Sequence, residues 1–520
     1  MRARSDGDPN RPAIQAAPLE RALGTLAVRR YRLCVAFVLL LMALNVFAGL
    51  SSVTLNDSDE ARYGVAAWEM LHNKSFIVTT YAGQPEYWNL KPPLGYWLMA
   101  LSFWVFGPTP FALRLPSALC AIGAVAVAMA ISRRWLGRRA SLLCGLFLST
   151  AYGFLTNHGA RSGDLDAMLT LLLLVATFEV SRLEKSPWRV VSLGFLLGLG
   201  FLLKSFAILP LVASAGLYVL WSGSWRRQRV WPCILALLAS ALPVAAWAVA
   251  RIHADGSAHF LVRMVQEDLL ARSTSIIDKV TYSPISYLGA LLDRFAPWPL
   301  LILAAAFLVA QEERFHLRAL GRRLARGRMP FLLLWTLVPL VLFSVSRTQH
   351  HWYLDPSYPG WAMLGALAAL EVVRRAPEPR RRAAVLACIL VPLALCEVRV
   401  LYRVLVAERA PASQRFLASL AEHRMELGAE LHTGPLHHSE RFILEAMDGF
   451  EVKEINAGSS TDRGPFDAPS VLIAKASPGP RPQPQLGSGV FLETRDYLLF
   501  QGANDIAGRA IPRRSRPHSH

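Results

Sequence analysis

Long apolar runs alternate with short polar segments over most of the chain. Many of these runs cover about 17–20 residues, the length at which an α-helix crosses the hydrocarbon core of a bilayer. The pattern predicts an all-α polytopic membrane protein with about eleven membrane-spanning helices. The predicted spans lie near residues 32–50, 112–131, 140–156, 167–183, 190–203, 207–221, 231–250, 296–311, 330–346, 355–373 and 383–401.

Basic residues gather in the short segments between alternate spans. With eleven spans, every basic cluster falls on the same side of the membrane as Arg29 and Arg30, which the positive-inside rule places in the cytoplasm. The net charge of +18 therefore does not indicate binding to nucleic acid. The clusters occupy residues 133–139, 182–189, 226–229, 314–328 and 374–382.

The segment from Leu94 to Phe106 is apolar and aromatic, but at about 14 residues it is short for a span. If it crossed the membrane, every later basic cluster would change sides. We therefore expect a helix that lies in the membrane interface. The opposite, periplasmic face would then hold the loop 51–111, the short loop 158–166, the segments 251–295 and 347–355, and the C-terminal part of the chain.

Four regions follow from this pattern. Residues 1–31 form a polar cytoplasmic leader without an evident small-residue cleavage site, so we expect the first span to be retained. Residues 32–403 form the transmembrane domain. Residues 404–476 alternate helix-like and strand-like stretches and predict a small α/β periplasmic domain. Residues 477–520 predict a Pro- and Gly-rich linker, short strands and a disordered basic tail.

Composition agrees with a membrane protein. The 520 residues are 53% hydrophobic and only 18% charged, whereas a soluble protein of this length carries more charge. The six cysteines all lie in apolar runs without the spacing of zinc ligands, so we expect no disulfide bond. They are Cys34, Cys120, Cys144, Cys233, Cys388 and Cys396.

The first predicted periplasmic loop carries the densest group of candidate functional residues. Asp59 and Glu60 stand at the membrane surface, where a carboxylate can accept a proton from a hydroxyl or orient a sugar, so both are candidate catalytic residues. Arg62 and Tyr63 add a cation and an aromatic platform for substrate binding. The alternative interpretation is a helix N-terminus, with Ser58 as its cap and the acids in its first turn.

Two further acids, Asp164 and Asp166, precede the span 167–183 on the same face. A helix N-terminus is again an ordinary place for acidic residues. Four acids in two loops on one face nevertheless favour a shared site. Both further acids are therefore candidate site residues, Asp164 as a ligand of the substrate and Asp166 as a catalytic acid, a role that the family resemblance given below implies.

Four basic residues on this face are candidate ligands of a phosphate. Lys91 lies beside the predicted interfacial helix, and Lys204 lies between two apolar runs with no acid nearby in the sequence. Arg272 and Arg347 could each clamp a phosphate, with Tyr353 close by in the same loop as Arg347. The alternative interpretation is that these side chains merely extend to the membrane interface.

The order of these residues is similar to that in a known family. It resembles the bacterial aminoarabinose lipid A transferase and protein O-mannosyltransferase-like family of GT-C integral-membrane glycosyltransferases. Each motif alone is weak, but the motifs occur in the right order over residues 55–373. They are Asp59-Glu60-Ala61-Arg62-Tyr63, Lys91-Pro92-Pro93-Leu94-Gly95-Tyr96-Trp97, Ala112-Leu113-Arg114-Leu115-Pro116-Ser117-Ala118, Arg161 to Leu169, Gly198 to Lys204 and Ser346 to Pro359.

The resemblance implies transfer of a sugar from a polyprenyl-phosphate donor to an envelope acceptor, a lipid A-like glycolipid or a protein. The reaction would take place at the periplasmic face of the bacterial inner membrane. Asp59 matches the family's catalytic acid in the first loop, and Asp166 matches the acid of the second loop. Lys91, Arg272 and Arg347 match positions that hold the donor phosphate. The motifs specify neither the sugar nor the acceptor.

Departures from the family pattern bear on metal binding and on the acceptor. Relatives in the lipid A branch often carry Phe-Glu before Lys91, where this chain has Asn89-Leu90, and many carry Glu-His where it has Glu267-Asp268. Those Glu and His positions are associated with a metal in that branch, so we predict no metal ligands and leave the cofactor open. Residues 349–353 also replace the family's Lys-Leu-Pro-His-Tyr pattern.

A transporter or flippase of a lipid-linked saccharide is the alternative function. Transporters are expected to carry ionisable residues or broken helices near the middle of the bilayer, whereas here the strongest charges lie at the ends of spans on one face. A non-catalytic scaffold gives no reason for Asp59, Asp166, Lys91 and Lys204 to share that face. The sequence therefore favours the glycosyltransferase.

Reporter fusions test the predicted topology. A fusion after Arg139 is expected in the cytoplasm and a fusion after Ser162 in the periplasm, because one predicted span separates the two positions. Alkaline phosphatase should therefore be inactive after Arg139 and active after Ser162. The reverse pattern would place Asp59 and Lys91 in the cytoplasm and contradict the predicted site.

Overall fold

The computed structural model describes residues 18–501 with several gaps. The gaps are residues 53, 88–89, 157, 184, 276–282, 284, 408, 424–429, 434–435, 455–470, 476–488 and 494–496. Part of the polar leader, the predicted linker and the basic tail therefore lie outside the described residues.

Helices dominate the described chain, and short 3-10 or π turns join several of them. The helices are α1 (Pro18–Phe47), α2 (Asp59–His72), α3 (Leu94–Phe106), α4 (Pro110–Leu136), α5 (Arg138–Ser149), α6 (Tyr152–Leu155), α7 (Asp166–Val180), α8 (Arg189–Lys204), α9 (Leu209–Ser222), α10 (Val230–Asp255), α11 (His259–Met264), α12 (Arg272–Thr274), α13 (Ser286–Arg294), α14 (Trp298–Glu312), α15 (Leu317–Leu324), α16 (Met329–Val345), α17 (Tyr358–Arg374), α18 (Pro379–Tyr402), α19 (Ala412–Ser419) and α20 (His438–Arg441).

Several of these helices are long and apolar enough to cross a membrane. Two bent pairs, α13 with α14 and α15 with α16, raise the number from five to seven among the described residues. Other predicted spans correspond to shorter helices, such as α5, α7 and α17 with 12, 15 and 17 residues. The number of eleven spans therefore stays a prediction. The five continuous segments are Val28–Phe47, Pro110–Leu136, Arg189–Ser222, Val230–Asp255 and Pro379–Val406.

Helix α3 forms at the segment for which we expected an interfacial helix. Tyr96, Met99 and Phe103 are buried on one side, whereas Leu101 and Trp104 are 56% and 75% exposed. Its 13 residues have one apolar face against the protein and another apolar face turned outward. Such a helix suits a lipid interface, although its depth in a membrane remains a prediction.

Close approach of backbones sets the packing of α8 on α10. A Cβ atom added at Gly194 would lie 2.2 Å from the carbonyl oxygen of Ala236, and one added at Gly198 would lie 2.6 Å from that of Ser240. Since Gly194 and Gly198 are one turn apart, they form a flat face on α8. This face brings α10 against α8, whose last residue is the predicted site residue Lys204.

A buried arginine on α4 fixes the loop that leads into α2. Arg114 and Glu60 are 1% and 0% exposed. The Nε and Nη2 atoms of Arg114 donate to the two carboxylate oxygens of Glu60 at 2.6 and 3.0 Å. The guanidinium also donates to the carbonyl oxygens of Leu50 and Thr54 at 2.7 and 2.8 Å. One side chain thus holds Leu50, Thr54 and Glu60 together.

The described C-terminal residues form a mixed sheet with short helices. Its strand order is β4-β3-β5-β7-β6; β3 is parallel to β4 and β5, and β7 is antiparallel to β5 and β6. Three of its strands lie within a residue of the stretches that the sequence predicts as strands, residues 430–432, 451–455 and 470–476. Together with the hairpin of the first loop, the strands are β1 (Thr80–Tyr81), β2 (Gln84–Pro85), β3 (Glu430–Thr433), β4 (Glu451–Glu454), β5 (Val471–Lys475), β6 (Gly489–Glu493) and β7 (Tyr497–Gln501).

This C-terminal unit contacts the loop before α2 directly. The side chain of Gln414 accepts a hydrogen bond from the backbone N–H of Leu55 at 3.0 Å and donates to its carbonyl oxygen at 2.9 Å. Asp57 accepts from the backbone N–H and the hydroxyl of Ser439 at 2.8 and 3.1 Å. The Nδ1 atom of His437 lies 2.8 Å from the same carboxylate. The loop is therefore held from two sides.

A cluster of charges links the C-terminal unit to α2. Arg441 pairs with Glu445 at 2.5 Å and with Glu454. Burial raises the pKa of Glu445 to about 7, and the nearby Glu69 of α2 adds to this effect, against the lowering effect of Arg441. Arg441 thus pairs with two carboxylates, and Glu445 keeps its proton well above the pH at which an exposed glutamate loses it.

The protonation of Glu445 predicts a pH-dependent stability of this unit. Between pH 4.5 and about 7 the folded unit binds a proton at Glu445 that the unfolded chain has lost, so its stability falls as the pH rises through this window and then levels off. Glu445→Gln should remove this loss, which is on the order of 1–3 kcal/mol. Hydrogen exchange of residues 438–447 in the full-length protein at pH 5 and pH 8 measures it.

The control for this experiment is Glu451→Gln, which changes an exposed carboxylate on β4. This variant should keep the pH dependence of the wild type. Equal pH dependence of exchange in wild type and Glu445→Gln would contradict the assignment of the proton to Glu445.

Candidate active site

A cavity of about 550 Å³ opens between α2, α7, α8, α9 and α16. Its charged and polar side chains come from the predicted periplasmic loops and the adjoining helix ends, such as Asp166 at the start of α7 and Lys204 at the end of α8, and we call this group the polar end. Its apolar side chains include Leu173 and Trp335, which lie farther along α7 and α16, and we call this group the apolar end. The charged and histidine residues are Asp59, Arg62, Lys91, His158, Asp166, Lys204, Asp268, Arg272 and His350. The apolar residues include Leu169, Leu173, Leu211, Trp335, Leu342 and Phe343.

The structure brings most of the predicted site residues together around this cavity. The lining includes Asp59, Asp166, Arg62, Lys91, Lys204, Arg272 and Tyr353. Four others lie outside the lining, namely Glu60, Tyr63, Asp164 and Arg347. The seven residues that line the cavity come from segments as far apart in the chain as residues 59 and 353, so the fold brings them together.

The helical period of α2 separates its four predicted site residues into two pairs. Asp59 is the first residue of the helix, and it forms an ion pair with Arg62 on the cavity side. Residues three apart share one face of a helix. Ser58 stands at the N-cap position, but its side chain makes no capping hydrogen bond. The acids do lie in the first turn, whereas the expected Ser58 cap is absent.

The other pair, Glu60 and Tyr63, points into the protein. Besides Arg114, Glu60 accepts hydrogen bonds from the backbone N–H groups of Asn56 and Gly163, both at 2.9 Å. Tyr63 is 1% exposed and packs edge-on against another buried aromatic ring. We predicted Glu60 as catalytic and Tyr63 as substrate-binding, but neither side chain is accessible from the cavity, so we now assign both to the support of α2.

The second predicted acid pairs with a lysine across the cavity. Both carboxylate oxygens of Asp166 accept from the Nζ of Lys204, at 2.5 and 2.6 Å. Asp166 begins α7 and Lys204 ends α8. The sequence shows no acid near Lys204, yet the fold supplies one 38 residues away.

The third charge cluster contains a residue that we did not predict as part of the site. Asp268 accepts from the Nζ of Lys91 at 2.8 and 2.9 Å and from the hydroxyl of Ser205 at 3.0 Å. The Nε of Arg272 lies 3.4 Å from the same carboxylate. Arg272 also donates to the hydroxyl of Tyr353 at 3.2 Å. Two features of the sequence point to Asp268: it occupies part of the family's Glu-His position, and it lies four residues before Arg272, which places the two on one helical face.

In this cluster, burial and ion pairing have opposite effects on the pKa values of Lys91 and Asp268. Burial lowers the pKa of Lys91, with Asp268 acting in the opposite direction. Burial also acts to raise the pKa of Asp268, but Lys91 and Arg272 outweigh it and hold that pKa below its usual value. The pair therefore compensates two charges that burial alone would neutralise.

The backbone of Arg347 contacts the segment that carries Arg272. Its N–H donates to the carbonyl oxygen of Ser273 at 3.3 Å, and the N–H of Thr348 donates to that of Arg272 at 3.2 Å. These contacts bring the two predicted phosphate-binding segments side by side. The side chain of Arg347 is exposed and lies outside the cavity lining.

Asp164 belongs to a group of three side chains that offer metal-ligand atoms. One ligand atom each of Asp59, His158 and Asp164 lies within 4.8 Å of the others. The Nδ1 of His158 is 3.0 Å from Asp164, and its ring stacks on Trp352 at 3.7 Å. Burial acts to raise the pKa of Asp164, but His158 and other neighbours hold it below its usual value. Carboxylates and an imidazole suit a divalent cation, and the sequence did not predict this group.

The amino-acid sequence of the chain is similar to those of known sugar transferases, as their names describe them. Residues 90–247 match the model of the dolichyl-phosphate-mannose-protein mannosyltransferase family. The chain is 30% identical over 348 residues, 65% of its length, to an undecaprenyl phosphate-alpha-4-amino-4-deoxy-L-arabinose arabinosyl transferase of Pseudomonas aeruginosa. It is also 30% identical over 342 residues to the protein of that name from Aeromonas salmonicida. The chain spans about 60% of the length of these relatives.

The fold has a counterpart among solved structures. The crystal structure of ArnT from Cupriavidus metallidurans bound to undecaprenyl phosphate superposes with a TM-score of 0.68 at 18% sequence identity, covering 92% of this chain and 99% of that one. The same protein in the apo state gives a TM-score of 0.66. At this identity the likeness shows the fold, which agrees with the helical GT-C architecture expected from the sequence.

Stability measurements distinguish the two acids at the start of α2. Glu60→Gln keeps the shape of the side chain but leaves buried Arg114 without its counter-charge, so it should destabilise the protein by about 3–5 kcal/mol. Asp59→Asn breaks a pair in which both side chains are partly exposed, with an expected cost of roughly 0–1 kcal/mol. Thermal unfolding of the two variants in detergent measures the difference; equal losses of stability would contradict the structural role of Glu60.

Proposed function

We propose that this chain is a member of the aminoarabinose lipid A transferase and protein O-mannosyltransferase-like family of GT-C membrane glycosyltransferases. As such, it transfers a sugar from a polyprenyl-phosphate donor to an envelope acceptor. The acceptor is a lipid A-like glycolipid or a protein. The reaction takes place at the periplasmic face of the bacterial inner membrane, which the chain crosses several times. The sugar is a pentose or a hexose.

The two-ended cavity carries this proposal. Its polar end holds four basic side chains and three carboxylates, namely Arg62, Lys91, Lys204 and Arg272 with Asp59, Asp166 and Asp268. Its other end runs between apolar helices that lipid would surround. A polyprenyl-phosphate sugar has the same division, with a phosphate and a sugar at one end of a long hydrocarbon chain. The donor would place its prenyl chain along the apolar end and its phosphate among the cations.

Phosphate binding at Lys91 requires a change of partner. Lys91 now pairs with Asp268, and Arg272 lies at the edge of the same pair. The donor phosphodiester carries one negative charge, as a carboxylate does, whereas the departing polyprenyl phosphate gains a further charge and a third terminal oxygen, so the two cations bind the leaving group more strongly than the donor. Lys91 would turn from Asp268 to the phosphate, while Ser205 continues to donate to Asp268. Without Lys91 or Arg272, the negative charge that develops on the departing phosphate would be poorly stabilised.

Asp59 is the residue that we place nearest the transferred sugar. With an acceptor hydroxyl, its carboxylate takes the proton as the new glycosidic bond forms and the bond to phosphate breaks. With an acceptor phosphate, which is already anionic, no proton needs to be removed, and Asp59 orients the donor sugar instead. In both cases the negative charge that develops on the polyprenyl phosphate is balanced by the cations around it. Asp166 holds Lys204 in position for this task.

A divalent cation at the group of Asp59, His158 and Asp164 would add positive charge beside the donor phosphate. The residue types fit such an ion. The roles of Lys91, Lys204 and Arg272 do not depend on it.

Release of the lipid product tests the function. Purified protein incubated with a polyprenyl-phosphate sugar and an extract of envelope lipids should release free polyprenyl phosphate and produce a glycosylated acceptor, both detectable by mass spectrometry. A transporter would leave the donor intact. No release with any polyprenyl-phosphate pentose or hexose would contradict the proposal.

Substitution of the acids tests their roles. Asp59→Asn and Asp166→Asn should each lower turnover by about 10² or more, because each removes a charge from the reacting centre while the amide keeps the size of the side chain. Turnover by protein of wild-type melting temperature is the measurement. If both variants turn over at a near-normal rate, the acids serve only the helix N-termini.

Donor affinity tests the role of Lys91. Lys91→Met keeps the apolar stem of the side chain and removes its charge, so donor binding should weaken by roughly 1–3 kcal/mol, the scale of a hydrogen bond to a charged group. The matched control is Lys185→Met, which removes a charge from an exposed loop on the predicted cytoplasmic face. Equal donor affinities of Lys91→Met and wild type would show that Lys91 only anchors α3.

A further inference from the structure

A second cavity, of about 850 Å³, lies where the loop before α2 meets the C-terminal unit. One side is lined by residues of the loop before α2 and by the start of α4, namely Gly49, Ser51, Ser52, Leu55 and Pro110. The other side is lined by C-terminal residues, namely Val404, Leu405, Arg409, Ala410, Gln414, Arg415, Ala418, Ile443 and Met447. None of these residues lines the first cavity.

The chemistry of this cavity is that of an amphiphile site with a cationic rim. Leu55, Val404 and Ile443 supply apolar surface, whereas Arg409 and Arg415 supply two guanidinium groups. No aspartate or glutamate is among the lining residues. A ligand that fills the cavity would therefore carry negative charge at one end and hydrocarbon at the other.

The two arginines have hydrogen-bond partners of a different kind from those of Lys91 and Lys204 in the first cavity. Arg409 donates through Nε to the carbonyl oxygen of Leu405 at 3.3 Å, and Arg415 donates through Nη1 to that of Ala410 at 2.6 Å. These bonds use one donor of each group and orient the rest. Within the part of the chain that the structure describes, neither arginine has an ion pair with a carboxylate, whereas Lys91 and Lys204 each have one. The positive charge at the second cavity is thus available to an anion.

The cavity adjoins a lipid-facing surface. Pro379–Val406 is one of the segments long and apolar enough to cross a membrane. At its end, Tyr402, Leu405 and Val406 are 61%, 51% and 53% exposed, and Leu405 also lines the cavity. A molecule could therefore enter from the bilayer without leaving the apolar phase.

We propose that the second cavity binds the headgroup of an anionic phospholipid, one whose headgroup carries a net negative charge and which is separate from the sugar donor. Two guanidinium groups form bidentate hydrogen bonds with phosphate oxygens more readily than with any neutral headgroup. The hydroxyl of Ser51, exposed on the other side, is a further donor. The acyl chains extend along the apolar end of α18.

The position of this lipid gives it an effect on the site. The N–H of Ala410 donates to the carbonyl oxygen of Ser52 at 2.9 Å, and Gln414 bonds the backbone of Leu55. A bound lipid would strengthen this contact between the two sides. Since the same loop continues into Asp59, the lipid would help to hold the first turn of α2 in place.

Native mass spectrometry of the full-length protein tests the proposal. The protein would be titrated with short-chain phosphatidylglycerol and, separately, with short-chain phosphatidylcholine, in the presence of saturating polyprenyl phosphate to fill the first cavity. One phosphatidylglycerol should bind, and its affinity should fall at least tenfold in the double variant Arg409→Gln/Arg415→Gln. The control double variant Arg380→Gln/Arg381→Gln, which changes exposed arginines at the other end of α18, should bind like the wild type.

Four outcomes would overturn the proposal. Equal binding by Arg409→Gln/Arg415→Gln and wild type would show that the arginines do not hold the lipid. Equal binding of phosphatidylcholine would show that charge is not recognised. Competition by inorganic phosphate at the same concentration as the lipid would indicate a site for a free anion. Binding of phosphatidylglycerol only when polyprenyl phosphate is left out would assign the lipid to the donor cavity.

A second measurement keeps the test decisive if the double variant does not fold. Photoreactive phosphatidylglycerol added to wild-type protein should label peptides within residues 404–418, and excess unlabelled phosphatidylglycerol should suppress the labelling. Labelling confined to other segments would contradict the proposal. Because the lipid is separate from the donor, failure of this test leaves the proposed transfer reaction unaffected.

Discussion

The buried ion pair between Arg114 and Glu60 is the constraint on which the rest of the site depends. Each carboxylate oxygen of Glu60 accepts two hydrogen bonds, and the donors come from α4, from the loop before α2 and from Gly163 in the second loop. One carboxylate thereby joins the segment that carries Asp59 to the segment that carries Asp166. A charged pair without solvent is costly unless every donor and acceptor is used, and here the satisfied network specifies how the two loops meet.

A second constraint acts in the first cavity, where carboxylates accompany the cations at close range. Lys91 lies beside Asp268 and Lys204 beside Asp166, in a partly buried space where charges interact strongly. This arrangement keeps the basic side chains ordered before a donor arrives. It also means that an anionic donor binds by exchange of partners, which favours a phosphate over weaker anions and connects donor binding to the position of Asp268.

The sequence predicts the site well where the evidence is local, and poorly where contacts link distant segments. The acids at the start of α2 and α7 mark helix N-termini, and most of the predicted cations line one cavity. The helical period could have separated Asp59 from Glu60, because consecutive residues on a helix point about 100° apart. By contrast, the pair of Lys91 and Asp268 joins residues 177 positions apart, which no local pattern reveals. The stacking of His158 on Trp352 is hidden for the same reason.

The number of membrane spans is likewise only partly predictable from local sequence. Length and apolarity identify the long helices, but α5 and α7 are too short to qualify alone, and their assignment rests on the alternation of basic loops. Tertiary packing rather than length stabilises such helices in the bundle, since α4 covers both of them.

The most direct test of donor binding in the first cavity is a structure of the protein with polyprenyl phosphate bound. We predict that the phosphate lies between Lys91 and Lys204 and that the Nζ of Lys91 leaves Asp268 to contact a phosphate oxygen. The prenyl chain should follow the apolar end of the cavity towards Trp335. A phosphate bound elsewhere, with the pair of Lys91 and Asp268 intact at 2.8 Å, would contradict this prediction.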